Sequence, residues 1–504
     1  MSAAVTRRSF LATTLAGAGL AAGGVLLQTR TVAPESAPRP APVPRPLAIP
    51  PQARSTVDGG VRVFRITAAP GTSDLFPGTP TPTWGYDGAF GGPTLRAARG
   101  ERVRVHVVNA LPEPTTTHWH GMALPAVHDG GPHRPIAPGT TWSPEWTIDQ
   151  PAATLWYHPH PHGLTGRHLH RGLAGLFLLD DGSGPTTALP HRYGVDDVPV
   201  MVTDRVVTGD GAFDETRRNA HGLLGDVLLF NGTVAPYLTA TTARIRLRLL
   251  NASPARCYRF ARSDGRPLVL VGTDAGSLPA PQPVPDVLLT PGERAEVLLD
   301  LEPGRRVVLR SLPQDLGAVS GTERTIGALD TLDVLQIRPA AVLEPAPPLP
   351  DTLPHEPAPE PPPGATVRRV ELGNDVLNGR AMDLTRIDEV VPAGATEVWE
   401  IANVHSRPHN LHLHDARGQV LTAAGRPVPP ERRCWKDTVY VPPRTTTRVL
   451  FRFGRHPDPA APYMFHCHLN RHEDQGMMGQ FVVVAPGTTD VPRTIPAPSG
   501  GGHA

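Results

Sequence analysis

The 504-residue chain carries 48 Lys+Arg against 47 Asp+Glu, a formal net charge of +1, and Lys436 is its one lysine. Arginines scattered among acids do not make the clustered basic face of a nucleic-acid binder, which excludes that class. At about 150 residues per domain the length suggests three domains, and 61 Pro with 50 Gly between alternating Val-, Leu- and Thr-rich runs favours short strands over helices. The expected fold class is all-β.

The first segment, Thr6-Arg7-Arg8-Ser9-Phe10-Leu11 with an Ala- and Gly-rich apolar stretch to Leu27, resembles a twin-arginine export signal, assigned to residues 1–37. The apolar run is short and Gly-rich for a membrane anchor, and no later segment could span a membrane. The expectation is an exported protein, extracellular, cell-envelope or periplasmic, with no integral membrane segment after the signal. A Pro-rich linker, 38–52, follows as an apparent tether.

Three strand-like runs then end in Asn before a turn: Glu101 to Asn109, Arg244 to Asn251 and Glu397 to Asn403. Their spacing is one domain each, which implies three homologous β-domains at 53–190, 191–343 and 367–487. A second Pro-rich linker, 344–366, and a flexible tail, 488–504, complete the plan.

Nine residues after Asn109 stands His118 of His118-Trp119-His120-Gly121, and nine after Asn403 stands His412 of His412-Leu413-His414. Later strands end His158-Pro159-His160 in the first repeat and His466-Cys467-His468 in the third. The middle repeat has Phe260 and Arg262 at the matching place, so it lacks the ligands and reads as a structural spacer. Four His-x-His pairs at matching places point to imidazoles converging between the first and third domains, able to hold several metal ions.

The stretch from His466 to Gln480 adds a thiolate, Cys467, a following imidazole, His472, and a thioether, Met477. These are the soft ligand types of a trigonal His₂Cys copper site with a weak axial Met. In an extended segment Cys467 faces one way and His466 and His468 the other, so one strand touches two metal sites. His409, six after Asn403, has Thr115 as its first-repeat equivalent, which confines the thiolate site to the third domain.

These motifs resemble those of the three-domain multicopper oxidases, the laccase, bilirubin oxidase and spore-coat laccase group, over the whole chain after the signal. The resemblance implies three cupredoxin-like Greek-key β-sandwich domains and four copper ions. His409, Cys467 and His472, with Met477 axial, would hold the type 1 copper. His118 and His412 would hold the type 2 copper, His120, His158 and His468 one type 3 copper, and His160, His414 and His466 the other. It further implies that a small-molecule reductant gives single electrons and dioxygen takes four, and that Asp129 and Glu473 act as proton relays. The plainer roles of those two acids are a turn Asp and a hydrogen-bonding Glu. His162, His168 and His170 fall outside the family pattern, and Cys257 and Cys434 could pair or stay apart; the oligomeric state is open.

The expected function is a laccase-like oxidase. The alternatives are a metallo-oxidase of Cu(I) or Fe(II), a non-catalytic exported cupredoxin scaffold, or a copper carrier. Residues 371–403 contain only Met382, so no Met-rich insertion covers the type 1 site. Phenols and aromatic amines should therefore reach it directly, with His472, as in similar laccases, the electron entry point.

Overall fold

Alternation makes the strands. In Arg102–Asn109 every second side chain is buried, the pattern of a strand with one face on a core. The computed structural model describes residues 43–498 except 77, 182–188, 358 and 430–432. The expected export signal, the first residues of the linker after it and residues 499–504 of the tail lie outside them. Among the described residues the α-helices are short, Thr165–Arg171 and Asn470–Asp474, and no helix is long and apolar enough to cross a membrane.

Six sheets pack as three sandwiches in chain order. The first sets Leu95–Ala98, Gly175–Asp180, Ala153–His158 and His118–His120 against a sheet built on Val61–Phe76 and Arg102–Asn109. The third sets Glu389–Pro392, Met478–Val484, Asp458–His466, His409–Leu413 and Thr438–Val441 against one built on Thr396–Asn403 and Thr446–Phe453. The middle sandwich joins two six-stranded sheets. Each has its own core: Val103, Val105, Leu155 and Phe177 in the first, Leu247, Leu249, Phe260 and Val297 in the middle, Trp399, Leu411, Phe451 and Phe465 in the third.

The repeated Asn builds the same corner three times. Asn109 Oδ1 accepts the N–H of Leu111 and its Nδ2 donates to the carbonyls of Glu113 and Ile136. Asn251 does this with Ser253, Arg256 and Leu289, and Asn403 with His405, Arg407 and Val441. A short amide satisfying three backbone groups fixes the turn, and the next strand starts at a set distance beyond it.

The Pro-rich segments are held more firmly than tethers. Arg45–Pro46 pairs parallel with Pro236 and Tyr237 at the edge of a middle sheet, where a residue lacking an N–H is tolerated. In the second linker Leu349 and Leu353 pack on Val271 and Leu298, and the Glu356 carbonyl accepts Trp435 Nε1 at 2.7 Å. In the tail, Thr494 bridges to Arg386, and Val491 and Ile495 pack against Ile387 and Val482. Proline content removes ladder hydrogen bonds, not packing.

Candidate metal centres

In the first sandwich His118 lies directly across from His158, and in the third His412 lies across from His466. Their neighbours Trp119, Tyr157, Leu411, Leu413 and Phe465 point into the two cores, so the histidines look outward and meet between the sandwiches. His118 stacks on His414 and His120 on His412, each pair with ring centroids 3.7 Å apart. His468 lies beside them, its ring 5.0 Å from that of His120. At the matching place in the middle sandwich Phe260 lies across from Ser311.

Hydrogen bonds decide which nitrogen of each ring faces the gap. His118 Nδ1 donates to the Asp129 carbonyl and His412 Nδ1 to the Asp437 carbonyl, both at 3.0 Å. His414 Nδ1 donates to Asp129 Oδ2 at 2.7 Å, and His158 Nδ1 to the Pro159 carbonyl at 2.9 Å. Glu473 sits between two rings, 3.5 Å from His160 Nδ1 and 3.4 Å from His466 Nδ1. The Nε2 atoms of His118, His412, His414 and His468 are then buried with no partner, and those of His160 and His466 face each other at 3.1 Å. His120 is reversed: its Nε2 faces Asp437 Oδ1 at 3.1 Å and its Nδ1 faces His158 Nε2 at 3.3 Å. Each unmet buried nitrogen costs about 1–3 kcal/mol, and metal ions in the gap would relieve several at once. Burial also holds His120, His158, His160 and His414 well below the ordinary imidazole range and His412 down to about 4. That leaves neutral rings, the form that binds metal.

The second centre lies within the third sandwich. Cys467 Sγ is 3.6 Å from His409 Nδ1 and 3.7 Å from both His472 Nδ1 and Asn410 Oδ1. One thiol proton cannot serve three acceptors. Metal–ligand bonds of about 2.3 Å to sulfur and 2.0 Å to nitrogen, set about 120° apart, put S and N about 3.7 Å from each other. Burial pushes the Cys467 thiol up to about 12, so a thiolate persists there only beside a cation. Met477 shares the Cys467 core and its carbonyl accepts the Cys467 N–H at 3.1 Å. Met478 begins the next strand, across from His466.

The structure differs from the sequence reading at His472. Its imidazole is fully buried, and its Nε2 donates to the carbonyl of Ala220 at 3.2 Å. Arg471 and Arg407 donate to the same oxygen at 3.1 and 3.3 Å. A turn of the middle repeat therefore covers the edge that was expected to face a bulky reductant.

The other candidates find ordinary surroundings or lie apart. His168 is satisfied at both nitrogens, by Glu113 at 2.8 Å and Thr115 at 3.0 Å. His170 is buried beside Phe213 with neither ring nitrogen hydrogen-bonded, and neither it nor His162 is in any of the convergent groups. Cys257 and Cys434 are not disulfide-bonded.

Spacing gave no sign of Asp437, which follows the sole lysine. It holds His120 and His412 and pairs through both carboxylate oxygens with the fully buried Arg294, at 2.7 and 2.6 Å. Burial alone would raise its carboxyl; Arg294 and His120 hold it well below the usual range. Gly121, at φ +85°, is needed beside them, since a Cβ there would lie 2.5 Å from Asp437 Oδ2. Asn410 was also missed: its Oδ1 accepts the His468 N–H at 2.8 Å while its Nδ2 reaches the Pro291 carbonyl of the middle repeat.

Residues 68–184 and 356–487 each match a multicopper oxidase family model. The chain is 31% identical over 447 residues to the multicopper oxidase mco of Staphylococcus haemolyticus, which covers 87% of this chain and 92% of that protein. The chain belongs to the multicopper oxidase family. This multicopper oxidase is also 34% identical to the cell division protein FtsP of Escherichia coli, over 81% of this chain and 86% of FtsP. In structure it is similar to a laccase from Pediococcus acidilactici, with a TM-score of 0.80 at 32% identity, covering 88% of this chain and 94% of that one. As a multicopper oxidase it is a copper-binding oxidoreductase of three cupredoxin-like sandwiches.

Proposed function

We propose that this multicopper oxidase is an exported laccase-like enzyme that couples one-electron oxidation of phenols or aromatic amines to four-electron reduction of dioxygen to water. His409, Cys467, His472 and Met477 would hold one type 1 copper. His118 and His412 would hold the type 2 copper, His120, His158 and His468 one type 3 copper, and His160, His414 and His466 the other. Bound there, copper supplies one-electron acceptance at the mononuclear site and dioxygen reduction at the shared cluster. The observation that carries this reading is the convergence of buried imidazole nitrogens left without partners, beside a thiol ringed by two more imidazoles.

The chain's own residues orient these groups and move protons. Asp129 and Glu473 each touch the outer nitrogens of two cluster histidines. They fix the rings and are placed to pass protons to a site otherwise walled from water. Burial would raise the Glu473 carboxyl, but His466 and His160 hold it far below the usual range. Cys467, between His466 and His468, gives electrons a continuous covalent path from one centre to the other.

Copper analysis with a visible spectrum and side-by-side kinetics tests the reading. Four coppers per chain, an intense blue band and a higher kcat/KM for a dimethoxyphenol than for Cu(I) are expected. A clear preference for Cu(I), or phenol turnover only with added copper, makes it a metallo-oxidase. The likeness to the cell division protein FtsP favours a second reading, a role in cell division, and a chain that takes up no copper on loading would make it a non-catalytic exported scaffold.

A further inference from the structure

Both imidazoles of the mononuclear site have their outer nitrogens covered, by different kinds of group. His472 Nε2 meets the Ala220 carbonyl, an insulating cover clamped by two guanidiniums. His409 is 1% exposed, but its Nε2 lies 3.4 Å from Nδ1 of a second imidazole, His405, with ring centroids 5.5 Å apart. His405 is itself only partly buried and stands at the Asn403 corner, its N–H bonded to Asn403 Oδ1 at 3.0 Å. We propose that His405, not His472, is the contact residue for the reductant and passes electrons to His409.

The tautomers fall into line. His409 turns Nδ1 to the thiol, so Nε2 carries the proton and donates it to His405 Nδ1. The Nε2–H of His405 is then the donor left to meet a substrate oxygen. Val404, 42% exposed, lies next in the chain, and Arg444 donates to its carbonyl at 2.5 Å. Arg407 and Arg444 outnumber Asp375 among the charges acting on His405. Val404 beside two arginines suits a phenol, a phenolate or another anionic donor better than Cu(I) or Fe(II). In each event one electron leaves the phenol through His405 and His409, with cupric ion at the His409–Cys467–His472 site as the one-electron oxidant. The phenolic proton goes to solvent and a phenoxyl radical departs. The choice of phenol and the copper that takes the electron rest on the function proposed above; the contact between His405 and His409 does not.

Two reductants separate these claims in the copper-loaded full chain: a dimethoxyphenol, and ferrocyanide, which needs no phenol chemistry. His405→Leu should slow anaerobic bleaching of the blue band by both, by about tenfold or more in second-order rate. The band position, the mononuclear potential, copper content and reoxidation rate should stay at wild-type values. His405→Gln, which keeps a polar group at the half-exposed turn, serves if the leucine variant does not fold, with the same loss expected. Wild-type bleaching in either folded variant overturns the proposal and places entry at His472 behind Ala220. A loss accompanied by a shifted potential or band would make His405 merely structural and overturns it too. Slower bleaching by ferrocyanide in a protein that leaves phenols untouched keeps the route and removes only the phenol.

Discussion

The outer sandwiches and the middle one bury polar groups in opposite ways. In the middle sandwich and at its border Arg248 bonds Asp197 and Glu296, at 2.7 and 2.9 Å, Arg246 also pairs with Glu296, and Arg256 reaches Asp204 at 3.0 Å. Every one of these charges is answered by the protein. Among the histidines between the outer sandwiches, His118, His412 and His414 are answered on one nitrogen and left open on the other, and His468 is open on both. Polar groups that satisfy one another hold a fold together, and buried groups aimed at one gap without partners await a ligand. Breaking each kind should therefore have separable effects.

The largest effect is expected at Cys467. Cys467→Ser should remove the blue band and all oxidase activity together, since a hard hydroxyl does not replace the thiolate, while the fold survives by circular dichroism. A blue, active serine variant would falsify the mononuclear assignment.

The middle sandwich should fail in the converse way. Glu296→Gln leaves Arg246 and Arg248 buried with half their charge unmet, at a cost of about 3–5 kcal/mol in chemical denaturation, with the copper spectrum of the folded fraction unchanged. Burial works against the Glu296 carboxylate, but the two arginines prevail and hold it at about 2. Its contribution is thus present above the unfolded value near 4.5 and is lost as pH falls towards about 2. The wild type should lose stability across that window faster than the variant. Parallel pH curves would show that the pair contributes nothing.

Smaller effects separate orientation from ligation. Asp129→Asn or Glu473→Gln should leave the blue band and its reduction intact yet slow reoxidation by dioxygen about 10- to 100-fold, the range for groups that hold a metal's ligands. Stopped-flow reoxidation at wild-type speed in both variants would remove them from proton delivery. The smallest change is expected at Met477. Met477→Leu should raise the mononuclear potential while Met478→Leu leaves it alone, and a redox titration showing the reverse moves the axial ligand by one residue.

What was legible in the sequence was whatever repeats or lies close along the chain. The Asn corners set a common distance to the next strand, so His118 and His412 could be found by counting, and alternation put Cys467 and His466 on opposite faces. Asp437 could not be found that way, because its partner His120 is 317 positions distant. Nor could the Ala220 cover on His472, 252 positions away: a backbone carbonyl leaves no mark in composition or motif. The expectation of an open type 1 site came from a missing Met-rich insertion, and another segment fills that place. Proline-rich runs misled for a related reason, since they reveal absent ladder bonds and say nothing of packing.

The His466 ring donates its Nδ1–H to the carbonyl of Cys467 at 3.2 Å, so the peptide that presents the sulfur to one centre also steers a ligand of the other. That ring cannot turn without disturbing the peptide, nor the peptide without the ring. Metal ions bound at the two places would thereby be linked, and linkage acts equally in both directions: whatever factor filling the cluster added to affinity at the thiolate, filling the thiolate site would return to the cluster.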